Sequence, residues 1–120
     1  MKAFALGLVA VAVLAGCGGN STPQPAGSFK VSMTEYKFEP STINAPAGKI
    51  VFYLVNDGNN TSHDLVIRDS TGKTIAKSEL VSAGDSVVFT VDSIAAGAYT
   101  IFCDQPGHES SGMKGTLTVT

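Results

Sequence analysis

Three features of this 120-residue chain predict an all-β domain, a sandwich or barrel of short strands. Apolar and polar residues alternate at period two through much of the segment beyond residue 28. Turn signals cut that pattern at short intervals. No stretch carries the spacing of an ordinary helix. The composition agrees, with Gly 13, no Trp and many Val, Thr and Ser.

The chain opens on Met1-Lys2, a minimal positive start, followed by an apolar run from Ala3 to Leu14 that is too short to span a bilayer comfortably. That order reads as a signal peptide. It ends in Leu14-Ala15-Gly16-Cys17, which resembles the bacterial lipoprotein cleavage box, in which the Cys becomes the acylated first residue. The expected organisation is therefore a signal peptide over 1–16, a lipid-anchored flexible linker over 17–28 and a folded domain over 29–120. The linker is polar and contains Pro23 and Pro25. Acylation of Cys17 would fix the chain at a membrane surface, each buried CH2 adding about 0.8 kcal/mol. It would also leave Cys103 as the only free thiol, outside the cytoplasm.

Phe29, Val31 and Met33 alternate with Lys30, Ser32 and Thr34 and predict the first strand. Residues 49–56 are almost wholly apolar, so alternation does not assign their faces. Val87, Phe89 and Val91 mark another strand, and Leu117 and Val119 the last. Residues 74–80 fit either a strand or a short irregular helix. Turns fall at Ala47-Gly48, Asp57-Gly58, Thr71-Gly72, Ala83-Gly84-Asp85 and Ala96-Gly97. At about ninety residues the folded part makes one domain near the lower end of single-core size. The formal charge is -2, with no basic stripe, which excludes nucleic acid as the expected partner.

Between Phe102 and Gly115 the chain places a thiolate, an imidazole and a thioether on one loop, as Cys103, His108 and Met113 in the spacing C-x4-H-x4-M. Singly, each has an ordinary role: Cys as a small buried hydrophobe, Met as a core filler, His as a solvated side chain. Together they suit a soft or borderline transition metal. A His2Cys set with a weak axial Met is an electron-transfer copper arrangement. The second imidazole has to be His63, the only other His in the chain. Strand parity agrees. Cys103 shares a face with Tyr99 and Ile101, and His63 shares one with Leu65 and Ile67, so both point inward from the ends of their strands.

With these residues in place the chain resembles the cupredoxins, small blue copper proteins, and among them the auracyanin-like and plastocyanin-like carriers. The matching pieces are Tyr36-Lys37-Phe38-Glu39-Pro40, His63-Asp64-Leu65, Gly97 to Cys103, Pro106-Gly107-His108 and Gly112-Met113-Lys114-Gly115. The resemblance implies a Greek-key β-sandwich of about seven to eight strands over 29–120. It further implies one type 1 copper ion held by His63, Cys103 and His108, with Met113 as the long axial ligand. His108 would be a partly exposed edge through which electrons pass. Asp64 stands where the family often has Asn, which calls into question the family's usual cross-loop hydrogen bond near the thiolate.

The implied function is one-electron transfer between membrane-associated redox proteins, by a monomeric, extracytoplasmic lipoprotein with transient partners. The alternative is a copper chaperone or storage lipoprotein, a class that generally shows Met-rich or His-rich open sites. An enzyme is not expected. Copper oxidases and nitrite reductases need further His, and a dinuclear copper centre needs a second loop Cys.

Overall fold

The computed structural model describes residues 21–120. These form nine strands: β1 (Phe29–Thr34), β2 (Lys37–Glu39), β3 (Thr42–Ala45), β4 (Gly48–Asn56), β5 (Val66–Arg68), β6 (Thr74–Lys77), β7 (Ser86–Ile94), β8 (Gly97–Phe102) and β9 (Lys114–Val119). Two sheets result, ordered β2-β1-β4-β7 and β3-β9-β8-β5-β6. The described residues contain no helix, and the ambiguous 74–80 stretch supplies β6.

The strand count exceeds the expected seven to eight because one early segment is divided. Phe38 is inward in β2, and the chain then passes Pro40, which has no N–H to offer a ladder. Beyond it, Thr42–Ala45 joins the other sheet in parallel with β9. The segment thus changes layers within a few residues, β2 pairing with β1 in one sheet and β3 with β9 in the other.

Pairing also settles what alternation left open in β4. Ile50, Phe52, Leu54 and Asn56 point inward, while Val51, Tyr53 and Val55 are half-buried on the outer face. Val31 and Met33 of β1 meet this row from one side, and Ile67, Ile101 and Leu117 of the second sheet close the core. Phe52 stacks on Phe89 at 5.8 Å between ring centroids. Burying a side chain of this size contributes about 1.5–3 kcal/mol.

The register places one set of loops together. β1 runs parallel to β4, which is antiparallel to β7. β8 is antiparallel to both β5 and β9. The β1–β2 hairpin, the loop after β4, the loop before β7 and the β8–β9 loop consequently gather at one end of the sandwich.

Gly115 shows how closely β9 passes beneath the layer change. A Cβ there would stand 2.1 Å from the Ser41 carbonyl oxygen and 3.2 Å from Ile101 Cγ1. The first contact is with backbone, which has no rotamer to yield. Gly115→Ala is expected to destabilise the fold by about 1–3 kcal/mol or more, read as a lowered denaturation midpoint. A midpoint unchanged from the parent would contradict this packing.

Candidate metal centre

Each candidate donor is positioned by a different backbone device. Cys103 follows β8 directly and continues its inward parity. His63 lies outside any regular strand, three residues before β5, in an isolated antiparallel bridge with Val81. Its inward position, expected from a strand end, is set instead by that bridge, with His63 N to Val81 O at 3.0 Å and Val81 N to His63 O at 2.8 Å. His108 sits in the β8–β9 loop, which closes on itself. Cys103 N donates to Met113 O at 3.1 Å, Met113 N to His108 O at 3.0 Å, and His108 N to Gln105 O at 3.0 Å. The C-x4-H-x4-M spacing is therefore one compact turn system, with Met113 fully buried at its exit.

His63, Cys103 and His108 converge, with one donor atom from each lying within 4.8 Å of the others. The two Nδ1 atoms are 3.2 Å apart. Cys103 Sγ is 3.4 Å from His108 Nδ1 and 4.0 Å from His63 Nδ1. Two donors about 2.0–2.3 Å from a single ion stand roughly 3–4 Å from each other at ordinary bond angles, so these spacings fit one ion. A soft sulfur beside two imidazole nitrogens suits copper as well as zinc. One type 1 copper ion is consistent with this cluster.

The electrostatics favour a cation. Cys103 is 0 % exposed, and burial pushes its thiol up to about 11. Hydrogen bonds from the Asp64 and Gln105 backbone groups pull in the opposite direction. Such a sulfur becomes a thiolate readily only with a positive charge close by. Burial, followed by the electrostatic effect of the neighbouring His108, lowers the pKa of His63 and so favours the neutral form that donates a lone pair. His63 Nε2 is buried with no hydrogen-bond partner.

The surroundings contain residues that the motif did not announce. Asn56, inward at the end of β4, donates through Nδ2 to Thr61 O at 2.8 Å and Val81 O at 2.9 Å, and accepts from Gly58 N at 2.9 Å. It ties the loop ahead of His63 to the bridge partner of His63. Its parity with Ile50, Phe52 and Leu54 was the available signal, hidden because residues 50–55 leading up to it show no polar alternation. Ser78 Oγ accepts from Leu65 N at 3.0 Å on the far side of the same loop.

Asp64 does form the cross-loop bond that its identity had called into question. Its Oδ1 accepts from Asp104 N at 2.9 Å. Burial raises the Asp64 carboxyl, while the hydrogen bond with Asp64 and then Lys77 lower that of Asp104. Lys77 lies 2.5 Å from Asp104 Oδ2 and 3.8 Å from Asp64 Oδ2. Arg68 meets Glu109 through both guanidinium nitrogens, at 3.1 and 2.5 Å, and lies 4.3 Å over the Phe102 ring. That ion pair is part-exposed and adds under about 1 kcal/mol; its contribution is to fix the residue beside His108.

His108 is less open than the resemblance implied, at 7 % exposed. Tyr36 covers it edge-on, with ring centroids 5.2 Å apart. Tyr36 itself is 45 % exposed and has φ 65, a left-handed backbone that costs a residue with a side chain about 1–2 kcal/mol.

A family model described as a cupredoxin-like domain matches residues 7–119. This chain belongs to the cupredoxin-like family. Plastocyanin from Dryopteris crassirhizoma is 36% identical over 96 residues, which are 70% of this chain and 88% of that protein. Auracyanin-B from Chloroflexus aurantiacus is 28% identical over 128 residues, 84% of this chain and 54% of that protein. The chain spans about half the length of the auracyanin-B and azurin sequences it matches. A solved structure of auracyanin B superposes with a TM-score of 0.70 at 26% identity, covering 82% of this chain and 92% of that one.

Within this cupredoxin-like domain Asn56 braces the His63 side of the cluster. Asn56→Leu keeps the volume but leaves Thr61 O without its side-chain donor and Gly58 N without its acceptor, and takes from Val81 O one of its two donors, the other being His63 N. Each group left unpaired costs about 1–3 kcal/mol. The expected result is a loss of about 2–4 kcal/mol in urea denaturation, with weaker metal binding in titration. Undiminished stability and affinity would remove Asn56 from this role.

Proposed function

We propose that the chain is a blue copper electron carrier, made as a lipoprotein and passing single electrons between membrane-associated redox proteins. The observation that carries this reading is the buried convergence of His63, Cys103 and His108. In it, His63, Cys103 and His108 are the strong ligands, and Met113, buried and hydrogen-bonded through its backbone to both loop donors, is the weak axial one. When bound, copper supplies the Cu(II)/Cu(I) couple. The chain's own residues hold the donors in one arrangement, exclude water from the thiolate and leave Tyr36 and His108 as the nearest route to the surface.

Burial separates this reading from a copper chaperone or storage protein. Handing copper to another protein requires incoming ligands to reach the ion, and here His63 and Cys103 are fully covered. The family relationship to auracyanin-like and plastocyanin-like proteins supports transient redox partners and a place outside the cytoplasm. Cys17 as the acylated residue, residues 1–16 as the signal peptide, 17–28 as the linker and 29–120 as the cupredoxin domain complete the proposal. It rests there on the leader sequence, since Cys17 lies outside the described residues. No enzymatic step is assigned to the chain.

Adding Cu(II) to the purified chain is expected to give an intense visible band that bleaches and returns on reduction and reoxidation. Cys103→Ser should abolish it. Metal at a hundred times its Kd stabilises by about 2.7 kcal/mol, raising Tm by about 10–20 °C for a domain of this size. Zinc-like colourless binding, or a Cys103→Ser chain that keeps the band, would overturn the assignment. Cys17→Ser should move the protein from the membrane fraction to the soluble one.

A further inference from the structure

Ser86 is out of place for its burial. It opens β7, where Val87 and Phe89 pack against the core, so alternation directs Ser86 to the outer face of its sheet. Yet it is only 4 % exposed. Thr22, sixty-four positions earlier in the chain, lies on it. Thr22 N donates to Ser86 Oγ at 2.8 Å, and Thr22 Oγ1 donates to Ser86 O at 3.2 Å. Ser86 Oγ in turn lies 3.3 Å from Thr22 O, in range to donate. Tyr53, outward on the neighbouring β4, adds its hydroxyl to Ser86 Oγ at 3.3 Å. One hydroxyl proton and two lone pairs are thereby all used. From Thr22 the chain turns at Pro25, whose carbonyl accepts from Ser28 N and Oγ, and enters β1 on the other side of β4.

The location matters as much as the bonds. Ser86 pairs with Val55, next to Asn56, and Asn56 reaches the Val81 carbonyl opposite His63. The latch is thus at the metal-bearing end of the sandwich. A free linker from Cys17 to Phe29 would span up to about 40 Å, more than the roughly 30 Å length of β4, and would let the domain present any face. With Thr22 latched, only four residues, or five Cα–Cα steps, separate the anchor from the domain. They span at most about 18 Å, starting from the metal-bearing end.

We propose that the Thr22–Ser86 latch, acting with the acyl anchor on Cys17, holds the metal-bearing end of the domain close to the membrane, for docking to a redox protein embedded in that same membrane. This rests on the lipoprotein reading above.

The test places a fluorescent amino acid at Ser111, exposed at the metal-bearing end, or at Ala96, exposed in the turn at the opposite end. The full-length acylated chain is bound to phosphatidylethanolamine–phosphatidylglycerol vesicles carrying an acceptor on the headgroups. Energy transfer is expected to be several-fold higher from position 111 than from 96. Ser86→Ala, or Thr22→Pro as a second variant lying ahead of every strand, should bring the two positions together. Ser86→Ala should also raise hydrogen exchange at the Thr22 amide roughly five- to tenfold. Equal transfer from both positions in the parent chain, or more from 96, overturns the orientation while leaving the anchor intact. A chain that fails to sediment with the vesicles refutes the anchor, and the orientation with it.

Discussion

Three polar donors from two distant parts of the chain are buried together at one end of this sandwich, and the surrounding structure is arranged around that fact. Two imidazole nitrogens at 3.2 Å and a sulfur at 3.4 Å from one of them make an apolar end of the core into a site that favours positive charge. Burying such groups without partners costs free energy. The fold meets that cost only by holding the donors where a single ion serves all of them. Nothing in the Cys103 or His108 side chains alone enforces this. The β8–β9 loop does so by closing its backbone on Cys103, His108 and Met113.

The His63 side has no such loop and is held by relay. Asn56 bonds the carbonyls of Thr61 and Val81, Val81 pairs with His63, and Ser78 secures Leu65. Asp64 then crosses to Asp104 beside the thiol, so a carboxylate supplies the cross-loop contact at this position. Arg68 reaches the opposite edge through Glu109 and Phe102. The two halves of the site are therefore joined by hydrogen bonds from both sheets.

The same end collects the exposed Tyr36, the covered His108 and the Thr22 latch. Strand direction is the cause: β1 and β4 finish there and β7 begins there, so a segment leading into β1 across the outer face meets β7 at its start. On the proposed lipoprotein reading, a membrane anchor attached to that segment would inherit its position. Orientation toward the membrane, on this account, follows from sheet order as much as from the length of the linker.

Much of this was legible in the sequence because it depends on local pattern. Period-two alternation marked β1, β7 and β9, and the Cys and His of C-x4-H-x4-M, with the only other His, marked the three residues that the fold brings together. Parity sent Cys103 and His63 inward. What the sequence by itself did not determine was whatever depends on which strands become neighbours. The split of β2 from β3, the inward Asn56, the isolated bridge that seats His63, the Tyr36 cover and the Thr22 contact all join residues far apart in the chain. Alternation gives the face of each strand, but only the pairing of sheets decides what stands opposite it, because that choice is made by packing over the whole core.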